Sequence, residues 1–263
     1  MRALDTAATG MMAMDLQVQV IAGNIANLST TGYKSQRAEF QDLIYEHVQR
    51  IGAQASDQGN ILPVGIELGS GVKTVGTPRL MTQGTLAQTG NPLDVAIQGN
   101  GWFKIQLPDG TYNYTRDGSF QMDAQGRIVT AEGNIVQPTI TVPPNSTGLT
   151  VNQQGQVSVT LPNSTTSSIL GQFTVTSFPN DAGLQANGNN LFSATPASGA
   201  PQDGLAGTNS TGTLLQGSLE QSNVEAVTEI SNLIAAQRAY EMNSKVITAA
   251  DEMLQTTSQL IHN

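Results

Sequence analysis

Leu4, Ala7, Met11, Met14, Val18, Ile21, Ile25 and Leu28 follow one another in alternating steps of three and four. All eight are apolar, in a chain that is only 38% hydrophobic. That spacing is a heptad seam along one side of a helix. It predicts a helix from Ala3 to Asn27, roughly 37 Å long at 1.5 Å per residue. The other end of the chain repeats the theme. Ala226, Leu233, Tyr240, Ile247, Leu254 and Ile261 stand seven apart. The positions expected to complete that heptad are Ile230, Gln237, Ser244, Asp251 and Ser258, and only the first is apolar. Ala236, Ala239, Val246, Ala250 and Met253 widen the stripe instead. Ser222 and Glu225 have the spacing of a capping box, and no Pro or Gly follows Gly217. A second helix is therefore predicted from Asn223 to Ile261, roughly 58 Å long.

Between the two ends the period falls to two. "DVAIQGNGWFKIQL", "TYNYT", "SFQM" and "RIVT" are separated by turns at 108–110, 116–118 and 123–126, and a further turn at 132–134 closes the last of them. Short alternating runs broken by Asp-Gly and Asn-Gly signals predict a meander of hairpins. "ITVPP", "LTVNQQGQVSVTL" and "GQFTVTSF" extend the β reading to Phe178. Residues 179–213 are rich in Gly, Asn, Ser, Thr and Pro and read as long loops with one strand near Leu191 and Phe192. Residues 51–92 read as an extended connector with a few short strands.

The expected fold is α+β. Long N- and C-terminal helices form a coiled-coil-like layer, and a mainly antiparallel β domain is inserted between them. The segments are 1–45 for the first helix and a hinge, 46–92 for the connector, 93–215 for the β domain and 216–263 for the second helix. The chain leaves and returns, so the helices should pair antiparallel. A lone pair does not bury both seams well, which points to neighbours on several sides.

Charge sharpens that expectation. Asp, Glu, Lys and Arg supply 12% of residues, against roughly 25% in ordinary soluble proteins. Residues 16–33 carry no formal charge, and between Gly133 and Gln202 there is only Asp181. Charged side chains normally coat a solvated surface. Their scarcity fits a surface turned toward other protein, and equally a secreted β-rich domain with an uncharged polar coat. The net charge of −9 argues against nucleic acid, whose binding domains are usually basic. Cysteine is absent, which excludes disulfides, Cys nucleophiles and Cys-ligated zinc. "MRALDTAATGMMAMD" has no unbroken apolar core, so no cleaved signal is expected.

Candidate chemistry is thin. His47 and His262 are the only histidines. "GSGVKT" at 69–74 lacks phosphate-loop spacing and "GNGWFK" at 99–104 lacks the dinucleotide fingerprint. Asp117, Asp123 and Glu132 are a conceivable carboxylate set for a cell-wall hydrolase, but they sit in turn sequences where Asp bonds its own backbone. No catalytic, cofactor-binding or metal residues and no small-molecule substrate are expected. "NIANLSTTGYKSQRAEF", 24–40, combines hydroxyls with bases but offers nothing to activate a nucleophile. Asn27 and Gly32 end helices readily, so Asn27, Thr30, Thr31, Gly32, Tyr33 and Lys34 read as a hinge, with Tyr33 and Lys34 anchoring it.

These residues also carry a resemblance. "NIANLSTTGYKSQRAEFQDL" is similar to the N-terminal signature of the bacterial flagellar rod and hook proteins, with Ser29 where that family often has Asn. "LEQSNVEAVTEISNLIAAQRAYEMNSKVI", 219–247, resembles their C-terminal signature. "GNPLDVAIQGNGWFKI" and "YTRDGSFQMDAQGRIVTAEGNIVQP" resemble their shared β region. Chain length and segment 50–72 are most like the distal-rod branch, with a proximal rod or hook subunit, or an exported scaffold or adhesin, as alternatives. The resemblance implies a non-enzymatic subunit that polymerises helically into a hollow, rigid drive shaft carrying motor torque to the hook. Implied partners are further copies, other rod subunits and hook protein, the peptidoglycan-ring and outer-membrane-ring proteins, and the flagellar type III export apparatus. The implied location is the basal body, across the periplasm to the outer membrane, reached without a cleaved signal. Leu4, Met11, Val18, Ile25, Leu233, Tyr240, Ile247 and Leu254 are the expected inner-bundle contacts.

Overall fold

The computed structural model describes residues 2–49, 64–146, 148–162, 167–208 and 211–262. Much of segment 50–72 lies outside the described residues, as do the side chains of Ile261 and His262. The chain divides into two compact units. One comprises Met1–Ile25, Gln36–Pro78 and Glu225–Asn263, and the other Ala26–Ser35 with Arg79–Val224.

The first unit holds both long helices: α1, Arg2–Ala26, of 25 residues, and α2, Ala226–His262, of 37 residues. Both are where the apolar period places them, and Leu28 falls just beyond the end of α1. No helix among the described residues is long and apolar enough to cross a membrane. The capping box does not form. Ser222 Oγ accepts from the Val224 N–H at 3.3 Å, closing a local turn instead. The first helical bond runs from Glu229 N–H to the Glu225 carbonyl at 3.0 Å. Glu225 thus stands at the cap, its carboxylate accepting from the Thr228 hydroxyl at 2.9 Å.

The rest of this unit is an antiparallel ribbon. Glu39–Asp42 pairs with Val72–Gly76, and Tyr45–Gln49 pairs with Ile66–Gly69. Leu43 N–H to Gly71 O, 2.8 Å, joins the two stretches. Both Tyr45–Gln49 and Ile66–Gly69 are exposed along their whole length. His47 is on this ribbon, its Nδ1 3.1 Å from Glu67 Oε1.

The second unit is β throughout, apart from a short 3₁₀ turn at Asp181–Gly183. Its seven-stranded antiparallel sheet runs in the order Gln185–Gly188, Leu191–Ser193, Tyr112–Thr115, Phe103–Gln106, Ile135–Gln137, Ile128–Val129, Gln121–Met122. The hairpins at 108–110, 123–126 and 132–134 are present, but the one expected at 116–118 is not. Tyr112–Thr115 pairs with Leu191–Ser193 while Gln121–Met122 lies at the far edge of the sheet, which breaks the meander. Val95–Gln98 leaves it to pair with Thr213–Gln216, because the Gly-Asn-Gly turn carries positive φ at Gly99 and Gly101 and redirects the chain. Residues 179–213 hold more order than their composition suggests. Gln185–Gly188 forms a local hairpin with Leu191–Ser193, which is itself held by Tyr112–Thr115, and Gln202–Leu205 pairs with Thr174–Ser177.

The core of this unit follows from the pleat. In Phe103–Gln106 the first and third residues are buried, and Gln156–Thr160 alternates in the same way. Phe103, Ile105, Val136, Val157 and Val175 are completely enclosed. Phe103 meets Phe120 edge-on at 5.0 Å. A second cluster packs Trp102, Tyr114, Phe178, Leu184 and Phe192. Burial of each such side chain stabilises by about 1.5–3 kcal/mol.

Candidate functional site

The stretch after α1 turns back on itself. Thr30 N–H bonds the Asn27 carbonyl at 3.2 Å, Thr30 Oγ1 lies 3.1 Å from Asn27 Oδ1, and Tyr33 N–H reaches the Thr30 carbonyl at 3.3 Å. Gly32 has φ +65°, and a Cβ there would come within 2.8 Å of the Arg116 carbonyl carbon. Only glycine satisfies both the left-handed angle and the close approach. Its N–H donates to the Glu220 carbonyl at 2.8 Å. The Thr31 carbonyl accepts from Asn190 Nδ2 at 3.2 Å. Asn189 and Asn190 form the tip of the 185–193 hairpin with φ of 53° and 57°, angles that Asn tolerates better than most residues.

Lys34 is held inside the protein. It is 1% exposed, and its Nζ donates to Glu220 Oε1 at 2.7 Å and to the Thr82 carbonyl at 2.8 Å. Glu220 is equally buried and also accepts from the Gly84 N–H at 3.0 Å. Arg116 completes the group. Its Nη atoms donate to the carbonyls of Gly101 at 2.6 Å and Gly99 at 2.9 Å. Its Nε lies 2.9 Å from Glu220 Oε2, an ion contact whose angle does not make it a hydrogen bond. Burial pulls the Lys34 ammonium below its ordinary pKa; Glu220 opposes that pull and Arg116 adds to it. Burial likewise lowers Arg116, again against Glu220. Asp181 supplies further negative charge to both and accepts from Trp102 Nε1 at 3.0 Å.

Asn223 binds the same junction. Its Oδ1 accepts from the Ser35 N–H at 2.7 Å, and its Nδ2 donates to the Leu80 carbonyl at 2.8 Å. Arg79 donates to the Lys34 carbonyl at 3.2 Å, with its guanidinium 5.9 Å from the Tyr33 ring centroid and 5.5 Å from that of Phe192. Glu220, Arg116, Asn223, Asn190 and Arg79 were not singled out from the sequence. One signal was available: Lys34 ends a run of uncharged residues, and Glu220 ends another that begins after Asp203. An isolated charge in a charge-poor segment needs a partner.

In the helical unit, Leu4, Met11, Val18, Ile25, Leu233, Ile247 and Leu254 are half-buried and Tyr240 is exposed. Ala7, Ala13, Ile21 and Asn24 are the fully buried residues of α1. On α2 the sheltered positions besides the first heptad set are Glu229, Ala236, Ala239, Asn243 and Ala250 among the described residues. Of the residues expected to widen the stripe, Ala236, Ala239 and Ala250 are sheltered, whereas Val246 and Met253 are exposed. Alanine at 236 and 250 permits close approach, and the polar members have partners. Asn24 Nδ2 donates to Glu229 Oε1 at 3.2 Å, and Asn243 lies against Gly10.

The three carboxylates considered for hydrolysis are occupied with turns. Asp117 Oδ1 accepts from the Ser119 N–H at 3.0 Å. Asp123 accepts from the backbone of Gln125 and Arg127 and from the Arg127 side chain. Burial opposes its charge, but these bonds outweigh it and hold its pKa below the ordinary value. Asp117 and Glu132 both line a cleft of about 210 Å³ with Thr115, Ser119 and Thr130.

Three family matches span most of the chain. Residues 4–34 match the flagella basal body rod protein family. Residues 96–159 match the flagellar hook protein FlgE/F/G D1 domain, and residues 215–260 match the flagellar basal body rod FlgEFG protein C-terminal family. The flagellar basal-body rod protein FlgG of Caulobacter vibrioides is 52% identical over 99% of both chains. Those of Agrobacterium fabrum, at 49% over 98% of this chain and 99% of the relative, and of Borreliella burgdorferi, at 45% over 99% and 98%, are similar from end to end. The chain belongs to the FlgG family of flagellar basal-body rod proteins. Each of the three matched segments of this FlgG-family chain contributes one member of the buried ion group: Lys34 from the first, Arg116 from the second and Glu220 from the third.

Proposed function

We propose that this protein is a structural subunit of the flagellar distal rod, polymerising helically into a hollow, stiff shaft that carries motor torque to the hook. End-to-end similarity to FlgG rod proteins carries the reading. The helical unit supports it physically. Val227, Ile230, Ile234, Met242, Met253 and Leu260 remain exposed on α2, more apolar surface than one helix partner covers. Neighbouring copies would cover it, making α1 and α2 a coiled-coil-like inner layer. Leu4, Met11, Val18, Ile25, Leu233, Tyr240, Ile247 and Leu254 would lie within that layer, with Asn27 and Thr30–Lys34 as the turn leading out of it.

In this reading the copies stack on other rod subunits below and on hook protein above. The shaft passes through the peptidoglycan-ring and outer-membrane-ring proteins, and the subunit arrives through the flagellar type III export apparatus. Its work is mechanical, with no reaction catalysed. The test is Ile247→Asp, expressed as the sole copy. Basal bodies isolated from such cells should lack the distal rod and hook, while the purified variant keeps its β-unit unfolding transition. Basal bodies of normal length would overturn the assignment.

A further inference from the structure

Asn24 is the only polar residue among the fully buried positions of α1. Its Oδ1 accepts from the Gln36 N–H at 2.9 Å, and its Nδ2 donates to the Gln36 carbonyl at 2.8 Å. The amide thus pairs with one backbone residue in both directions, as a neighbouring strand would. Its Nδ2 also donates to Glu229 on α2. Fourteen residues back along α1 stands Gly10, and fourteen residues on along α2 stands Asn243. These two also meet. A Cβ at Gly10 would come within 2.8 Å of Asn243 Nδ2, so the Asn243 amide packs directly on the glycine and would have to shift for any larger residue. The two contacts define a single antiparallel register two heptads long.

The apolar pattern does not select that register. Sliding α2 by seven residues in one sense sets Asn24 opposite Ala236 and Gly10 opposite Ala250, and keeps the heptad intact. What such a slip destroys is the polar matching. Asn24 would keep Gln36 but lose Glu229, and a hydrogen bond to a charged group contributes more than one between neutral groups. Single buried Asn residues are known to fix register in helix pairs on this ground. We propose that Asn24, with Glu229, and Gly10, with Asn243, set the register of α1 against α2, while the apolar stripes supply only adhesion. Gln36 holds Asn24 in the rotamer that does this.

The chain has no native cysteine, so register can be read by disulfide trapping. Ala13 and Ala239 lie between the two polar contacts. In the purified full-length chain, A13C/A239C reports the observed register. A13C/V246C and A13C/N232C report slips of one heptad either way. Under mild oxidation the parent should trap almost wholly as 13–239. Asn24→Leu should raise the slipped share relative to 13–239 by about tenfold. Glu229→Ala keeps the Gln36 bridge and should shift the ratio less, in the same direction. A merely weakened helix pair lowers all three products together and leaves their ratio unchanged. A ratio unmoved in both variants, or a parent that traps all three pairs alike, would overturn the proposal. The bonds form within one chain, so the result is independent of the assembly reading.

Discussion

The two units handle apolar side chains in opposite ways. In the β unit Phe103, Phe120, Phe173, Ile97, Ile105 and Leu214 are enclosed by their own chain. In the helical unit the buried apolar residues are Ala7, Ala13, Ile21, Ala236 and Ala250, four of them alanine, whereas Met12, Ile44, Val227 and Leu260 stand in the open, Ile44 at 83% exposure. The β unit closes its core by itself. Among its described residues the helical unit spends small side chains on internal contact and keeps large ones outside, the distribution expected if the proposed assembly covers them. Charge is separated likewise, since the buried Lys34–Glu220–Arg116 group ties three distant segments together inside the β unit.

This contrast breaks most severely at the ion group. Glu220→Leu leaves two cations buried without their anion and should cost about 3–5 kcal/mol. The lone Trp102, bonded to Asp181 beside the group, offers a fluorescence readout during urea unfolding. Replacing all three residues with apolar ones of similar volume should restore most of the loss; no recovery would mean that the ions stabilise outright. Gly32→Ala meets both a left-handed angle and the Arg116 carbonyl carbon, and should cost about 1–3 kcal/mol by the same measurement.

A smaller effect is set by pH. Burial lowers Lys34 from 10.5, so above its folded pKa the native state sheds a proton that the unfolded chain still holds. The Lys34 penalty is full below that folded pKa and eases as pH rises toward 10.5. Urea titrations of the parent and Lys34→Met across alkaline pH should show the parent gaining on the variant in that window. An unchanged difference would mean that Lys34 does not titrate there. Smallest for the chain alone is Val227→Lys. It should change unfolding by less than about 0.5 kcal/mol yet reduce rod assembly seen in isolated basal bodies, a separation of stability from function that no β-core substitution should reproduce.

Much of this was legible in the residues. The seams of Leu4–Leu28 and Ala226–Ile261 placed both helices, and the Asp-Gly turns placed the hairpins around Pro108–Gly110 and Asp123–Gly126. Helical and strand periods are local properties, written every three, four or two residues, and so are turn residues. The strands at 185–188 and 202–205 were hidden because their composition is polar: the first is ordered as the edge arm of the hairpin with Leu191–Ser193, and the second by Thr174–Ser177, well back along the chain. Lys34 was legible as an anchor of the turn but not as a buried one, because nothing near it in sequence hints that Glu220 and Arg116 converge on it.

The sequence by itself determined the two long helices, most of the strands and turns between them, and the family to which the chain belongs. Tertiary structure alone decided that α2 shelters the polar Glu229 and Asn243 alongside its alanines, that Asn24 is enclosed, and that three lone charges share one interior site. A repeat reveals a stripe but not what the stripe faces, and pairing between remote residues is settled by close packing and desolvation, which act only once the chain has folded.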